Sequence, residues 1–169
     1  MADNQAESKQ LVLTRVFDAP RELVFKVWTD PEHFGKWWGP KGFSLNVVKM
    51  DVRPGGMFLG SQSSPDGHVM WGKFVYQEVN PVERLTFIQS FSDEQGNTVR
   101  APFHPNWPLE IMNILTLAEE NGKTLLTLRG GPHNATEEEN AVFAGMSPML
   151  EQGFAGTFDQ LADYLASRK

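Results

Sequence analysis

The chain has 169 residues, 40% hydrophobic and 21% charged, with 15 basic against 21 acidic side chains and a formal net charge of −6. A chain of this length buries roughly two-thirds of its unfolded surface as one domain, so a single well-formed core is within reach. Zero cysteines exclude a disulfide framework, cysteine metal sites and thiol nucleophiles, and the acidic balance, with no cluster of lysines and arginines, excludes a nucleic-acid footprint.

Met1 to Gln10 is acidic and polar where a signal peptide needs a basic start and an apolar stretch. It reads as a flexible lead-in, residues 1–10, to one domain over 11–169 with a cytoplasmic location. No apolar run approaches the ~20 residues of a membrane span, so membrane insertion is not expected. Leu11 to Phe17 alternates and is rich in β-formers, a first strand. Asp18 or Ala19 then caps a short helix with Pro20 in its first turn, carrying Leu23, Val24, Val27 and Trp28 at helical spacing. Asp30-Pro31-Glu32 repeats the start signal, giving a second short helix with Phe34, Trp37 and Trp38 that Gly39-Pro40 ends.

Turn chemistry then punctuates a series of strands: Phe43 to Val52, Met57 to Ser61, Val69 to Val79 and Leu85 to Phe91. The pattern is one of antiparallel hairpins. Ala101 to Pro108 holds three prolines and no periodicity, a long loop of the kind that serves as a lid or binding loop. Leu109 to Leu117 and Lys123 to Arg129 form a hairpin around Asn121-Gly122. Thr136 with Glu139 matches a capping box, and Glu137, Glu138 and Glu139 complement the dipole of the helix they open. Ser147-Pro148 predicts a kink, or a fresh start with Ser147 as cap. Beyond it Leu150, Phe154, Phe158, Leu161 and Leu165 form one apolar stripe.

These elements predict an α+β fold in which six to seven antiparallel strands curve around a long C-terminal helix, with two short helices after the first strand. Gly55-Gly56, Gly60 and Gly72 sit where bends are expected. A curved sheet gripping a helix leaves space, and Gly153 and Thr157 keep one edge of the helix small. Gly153 either leaves room for a ligand or permits close packing; the sequence favours neither. Phe34, Trp38, Trp71, Phe74, Phe87 and Phe154 are the aromatic candidates for the wall of that space, with Trp37 and Trp107 beside them. Met112, Met146 and Leu150 would complete it, methionine also being a filler of ordinary cores. Gln89 alternates with Leu85, Phe87 and Phe91 and is the first candidate for a polar anchor; Asn113, His68 and Glu110 are further polar residues among apolar strands.

Motifs with defined chemistry are missing. His33, His68, His104 and His133 lack metal-ligand spacing, so no metal and no cofactor are expected. Gly122-Lys123-Thr124 lacks the upstream glycine of a phosphate loop, position 117 being Leu117. Acid–base work by His68 or Glu110 has no evident paired base.

Asp18-Ala19-Pro20-Arg21-Glu22-Leu23-Val24-Phe25, Trp28-Thr29-Asp30-Pro31-Glu32 and Trp37-Trp38-Gly39-Pro40 resemble the opening of the Activator of Hsp-90 ATPase homologue-like family within the START-like (SRPBCC) superfamily. Arg53-Pro54-Gly55-Gly56, Pro81-Val82-Glu83-Arg84-Leu85, Trp107-Pro108-Leu109-Glu110 and Gly153-Phe154-Ala155-Gly156-Thr157-Phe158-Asp159-Gln160-Leu161 continue the likeness. The resemblance implies a helix-grip (Bet v 1-like) fold and a hydrophobic cavity between sheet and final helix. It implies three functions: binding of a small hydrophobic molecule, which leads; a cyclase- or hydrolase-like enzyme acting on one; and a chaperone-activator-like interaction module, whose partner would be a chaperone. A homo-oligomer is left open.

Overall fold

The chain folds as β1 (Leu11–Phe17), α1 (Arg21–Thr29), α2 (Pro31–Phe34), β2 (Ser44–Met50), β3 (Met57–Ser63), β4 (Val69–Asn80), β5 (Arg84–Ser92), β6 (Ile111–Glu120), β7 (Lys123–Pro132) and α3 (Glu137–Ser167). The computed structural model describes residues 10–39 and 42–168; the lead-in expected over 1–10 therefore lies outside the described residues except for Gln10. The strands form one seven-stranded sheet in the order β1-β7-β6-β5-β4-β3-β2, every neighbouring pair antiparallel.

Sequence pattern explains the pairing. In β6, Ile111, Asn113, Leu115 and Leu117 are buried at alternate positions, and in β7 Thr124, Leu126, Leu128 and Gly130 repeat the period. A slip of one residue would turn both sets to solvent. The turn between them takes φ of 56° at Asn121 and 77° at Gly122, the two positive values a two-residue type I′ hairpin demands.

Register shifts between Val47 and Lys49 and between Tyr76 and Glu78 interrupt the ladders of β2 and β4, and such bulges bend a sheet. Gly60 pairs with Gly72 across β3 and β4. A Cβ on Gly60 would lie 2.8 Å from the Phe58 ring and 3.0 Å from the Asn46 carbonyl oxygen, so no side chain fits there. The sheet curves toward α3, which crosses it.

Several boundaries depart from expectation. The first helix has Pro20 at its N-cap with no side-chain cap bond, so neither Asp18 nor Ala19 does that work. The second helix ends at Phe34, leaving Trp37 and Trp38 in the following turn, with Asp30 accepting from the Glu32 backbone N–H at its start. The final helix starts at Glu137 and runs unbroken through Pro148 for 31 residues; there is no fresh start at Ser147. The physical reason is local. Proline cannot donate to the carbonyl four residues back, here Ala144, and the Ser147 hydroxyl donates to that oxygen at 3.0 Å instead. The capping box is complete: Thr136 Oγ1 accepts from the Glu139 N–H at 3.1 Å, and Glu139 accepts from the Thr136 N–H at 3.0 Å.

The core divides in two. The larger cluster packs α1, α2 and the C-terminal half of α3, through Val24, Trp28, Phe34, Trp37, Phe158, Leu161 and Leu165, against Phe58, Phe74, Tyr76, Phe87, Leu115 and Leu126 of the sheet. Trp28 alone lies within 6.2 Å, centroid to centroid, of Phe34, Trp37 and Trp38. The smaller cluster, Leu11, Ala101, Trp107, Ile111 and Phe143, ties the Pro-rich loop to the N-terminal half of α3. Each large side chain so buried contributes about 1.5–3 kcal/mol.

Candidate functional site

The two clusters do not meet in full. Between them lies a cavity of about 320 Å³, bounded by Phe58 and Phe74 of the larger cluster and by Leu11, Trp107, Ile111 and Phe143 of the smaller. Its wall is predominantly apolar. α3 contributes Met149, Leu150, Gly153, Phe154 and Thr157 beside Phe143, and Trp38 joins the wall from the segment after α2. Phe103 of the Pro-rich loop and Met149 of α3 are 51% and 65% exposed and lie at the rim.

Of the twelve positions predicted from sequence, the structure brings Trp38, Trp71, Phe74, Gln89, Leu150, Gly153, Phe154 and Thr157 to this wall. Four are not on it. Phe34 and Phe87 are fully buried in the larger cluster, Phe34 against Phe58, Trp37 and Trp38, and Phe87 stacked on Phe74 at 4.2 Å. Met112 alternates with the inward-facing Ile111 and Asn113 and so points to the other side of the sheet. Met146 packs against the smaller cluster and is off the wall, although Phe143 before it and Met149 after it on the same helix are on it. Phe91, Phe103, Ile111 and Gly130 join the wall without having been expected there. Phe91 was accessible from strand alternation, whereas Phe103 comes from a loop without periodicity, and Ile111 and Gly130 needed the register.

The helix face at the cavity is anchored by polar bonds to the segment after α2. Thr157 Oγ1 donates to the Gly39 carbonyl at 3.0 Å, and Gln160 Nε2 donates to the same oxygen at 2.7 Å. At the other end, Arg100 Nη1 lies 2.5 Å from Glu139 Oε2 and also donates to the Trp107 carbonyl at 3.2 Å, joining the Pro-rich loop to the first turn of α3. The Arg100 hydrogen bond, then the Thr136 N–H, hold the Glu139 carboxyl below its ordinary range.

Titratable groups expected to matter lie elsewhere. His68 sits in the exposed β3–β4 turn beside Asp66, whose carboxyl is held low by the Ser64 hydroxyl and then by His68. Glu110 is off the wall, its carbonyl accepting from the His133 N–H. His33 Nδ1 meets the Tyr164 hydroxyl at 2.6 Å and joins α2 to α3. Among the described residues no three His, Asp or Glu side chains converge on a metal position. Lys73 is the one charged residue of the described wall, and its ammonium donates to the Gly96 carbonyl at 2.9 Å. Gln89 and Asn113, both on the wall, are joined side chain to side chain at 3.2 Å.

The family model described as Activator of Hsp90 ATPase homolog 1-like protein matches residues 18–166. The chain belongs to that family. As a family member it shares its fold with protein Ms6760 from Mycobacterium smegmatis, 26% identical over 94% of this chain and 91% of that one, with a TM-score of 0.75. Protein CV1439 from Chromobacterium violaceum is also 26% identical, covering 94% and 97% of the two chains at a TM-score of 0.69. A protein from Arthrobacter aurescens shows the same fold at 23% identity and a TM-score of 0.79, over 96% and 88%. Comparison with curated proteins gives no match. The family spans ligand binding and activation of the Hsp90 ATPase. No helix among the described residues is long and apolar enough to cross a membrane.

Proposed function

We propose that this family member binds a compact, largely apolar small molecule in the cavity between α3 and the sheet. The observation that carries the reading is the void itself. About 320 Å³ is left here between two well-packed clusters and opens to solvent past Phe103 and Met149, where interiors otherwise pack with few gaps larger than one water. At ~30 Å³ of liquid volume each, about ten waters would fill it. Against so apolar a wall most of them lack partners, and displacing poorly ordered water with an apolar group favours binding. The volume is at the lower end of the roughly 300–1,000 Å³ of small-molecule sites, which favours a ring-sized ligand over a long lipid. Phe103 and Met149 at the rim suit entry by an apolar molecule.

The test is native mass spectrometry of the purified protein for a copurified small molecule, together with titration of the neutral fluorescent probe N-phenyl-1-naphthylamine. A bound mass, or saturable fluorescence enhancement that Gly153→Leu removes, is the expected result. A wild-type protein that carries no bound molecule and binds no apolar probe would defeat the reading.

A further inference from the structure

Gln89 and Asn113 form a joined amide pair whose hydrogen-bonding capacity is not used up. They sit on neighbouring strands, diagonal to one another, since Gln89 pairs with Ile111 and Asn113 with Phe87. Asn113 is only 3% exposed. Its Nδ2 donates both to Gln89 Oε1 at 3.2 Å and to the Ile111 carbonyl at 3.3 Å, which occupies both of its N–H bonds and fixes the orientation of the amide. Among the described residues, Asn113 Oδ1 then has no donor and Gln89 Nε2 no acceptor. A carboxamide has one oxygen and one NH₂, so one bond between two of them always leaves an acceptor on one and a donor on the other. Gly130 faces Asn113 across β6 and β7, and a Cβ there would lie 3.2 Å from Asn113 Oδ1. Any other residue at 130 would crowd that oxygen. Both amides and Gly130 line the cavity.

Among its described residues the same wall offers a single charge, on Lys73. Lys73 alternates with Phe74 along β4 and spends its ammonium on Gly96, and Thr157 turns its hydroxyl to Gly39. An ammonium at the amide pair would be desolvated without a counter-charge, and a carboxylate there would set its oxygens against Asn113 Oδ1 with no donor to offer it; either is costlier than burying a neutral amide that finds its partners. We infer that the cavity selects a neutral ligand ending in a carboxamide or lactam. The ligand carbonyl accepts from Gln89 Nε2, its N–H donates to Asn113 Oδ1, and its apolar body packs among Trp38, Phe74 and Phe154. This inference rests on the cavity being a ligand site and specifies what that site reads.

The experiment compares three naphthalene probes of similar size, 2-naphthamide, methyl 2-naphthoate and 2-naphthoate anion, by isothermal titration at neutral pH. The amide should bind about tenfold or more tighter than the ester, which lacks the N–H, and the anion should be weakest, because a buried polar group left unpaired is heavily penalised. The double variant Gln89→Met with Asn113→Leu removes both amides at nearly constant shape, so that neither amide is left facing a lost partner, at the cost of the Asn113 bond to the Ile111 carbonyl. It should lower amide affinity more than ester affinity, because the amide loses two hydrogen bonds and the ester, whose carbonyl also accepts from Gln89 Nε2, loses one, so that the two probes bind alike. Equal or tighter binding of ester or anion by the wild type overturns the inference alone, and so does an amide preference that survives in the folded double variant. If none of the three binds and N-phenyl-1-naphthylamine does not bind either, the ligand-site reading fails and this one with it. If the double variant does not fold, the wild-type series still decides.

Discussion

At Gly153 a Cβ would meet no atom within 4 Å, and the same is true of Gly145, one helix stretch earlier and off the cavity wall. The alternative that Gly153 allows close helix–sheet packing therefore has no steric basis. Helix-interior glycine costs about 1 kcal/mol relative to alanine. Gly145→Ala and Gly153→Ala should each raise stability by roughly 0.5–1 kcal/mol, read as a higher melting temperature in both. The two positions part company when the side chain grows. Gly153→Leu should fill the space at the cavity edge and abolish probe binding with the fold intact, whereas Gly145→Leu should leave probe binding unchanged. Loss of stability in Gly153→Leu on the scale of overpacking, about 1–3 kcal/mol, would show that the space is not there.

The long helix shows how one element absorbs a residue that should break it. Interior proline costs about 3 kcal/mol, but the Ser147 hydroxyl takes over the Ala144 carbonyl that Pro148 leaves without a donor. Pro148→Ala should raise the melting temperature. Ser147→Ala should lower stability by about 1 kcal/mol in the natural chain and by much less once Pro148 is alanine, an interaction that a double-mutant cycle measures. At the start of the same helix, Glu139 is tied to Arg100 of the Pro-rich loop. Because the folded carboxyl is held below its ordinary value, its stabilising contribution is present above the unfolded pKa, about 4.3. It is lost as pH falls through that value toward the lower folded one. Glu139→Gln should therefore melt below wild type at pH 7, with the gap closing below about pH 4. A gap that is constant from pH 7 to pH 3 would show that the charge plays no part.

For the molecule as a whole, the division of the core into two clusters with a void between them makes stability responsive to occupancy. A ligand held at 100 times its Kd adds about 2.7 kcal/mol to the folded state. The melting temperature of the wild type should therefore climb with the concentration of any apolar probe that binds, and that of Gly153→Leu should not. A chelator should leave both unchanged, since no metal-binding cluster exists among the described residues; a marked fall would reveal a site elsewhere in the chain.

The helix-grip architecture was legible in the sequence because its signals are local. Alternation in β6 and β7, the Asn121-Gly122 turn, the Thr136–Glu139 box and the stripe from Leu150 to Leu165 each depend on residues a few places apart. Burial of one face requires such periodicity whatever the rest of the chain does. The cavity wall was legible from those patterns at Phe74, Gln89, Leu150, Gly153, Phe154 and Thr157, and at Trp38 and Trp71 from aromatic character. Tertiary structure alone decided that Phe34 and Phe87 are core, since an aromatic ring on an inner face reads the same from sequence whether it meets a neighbouring ring or open space. It also decided that Gln89 meets Asn113 over Gly130. Those three residues are separated by 24 and 17 positions in the chain, and only the register of three antiparallel strands sets them side by side.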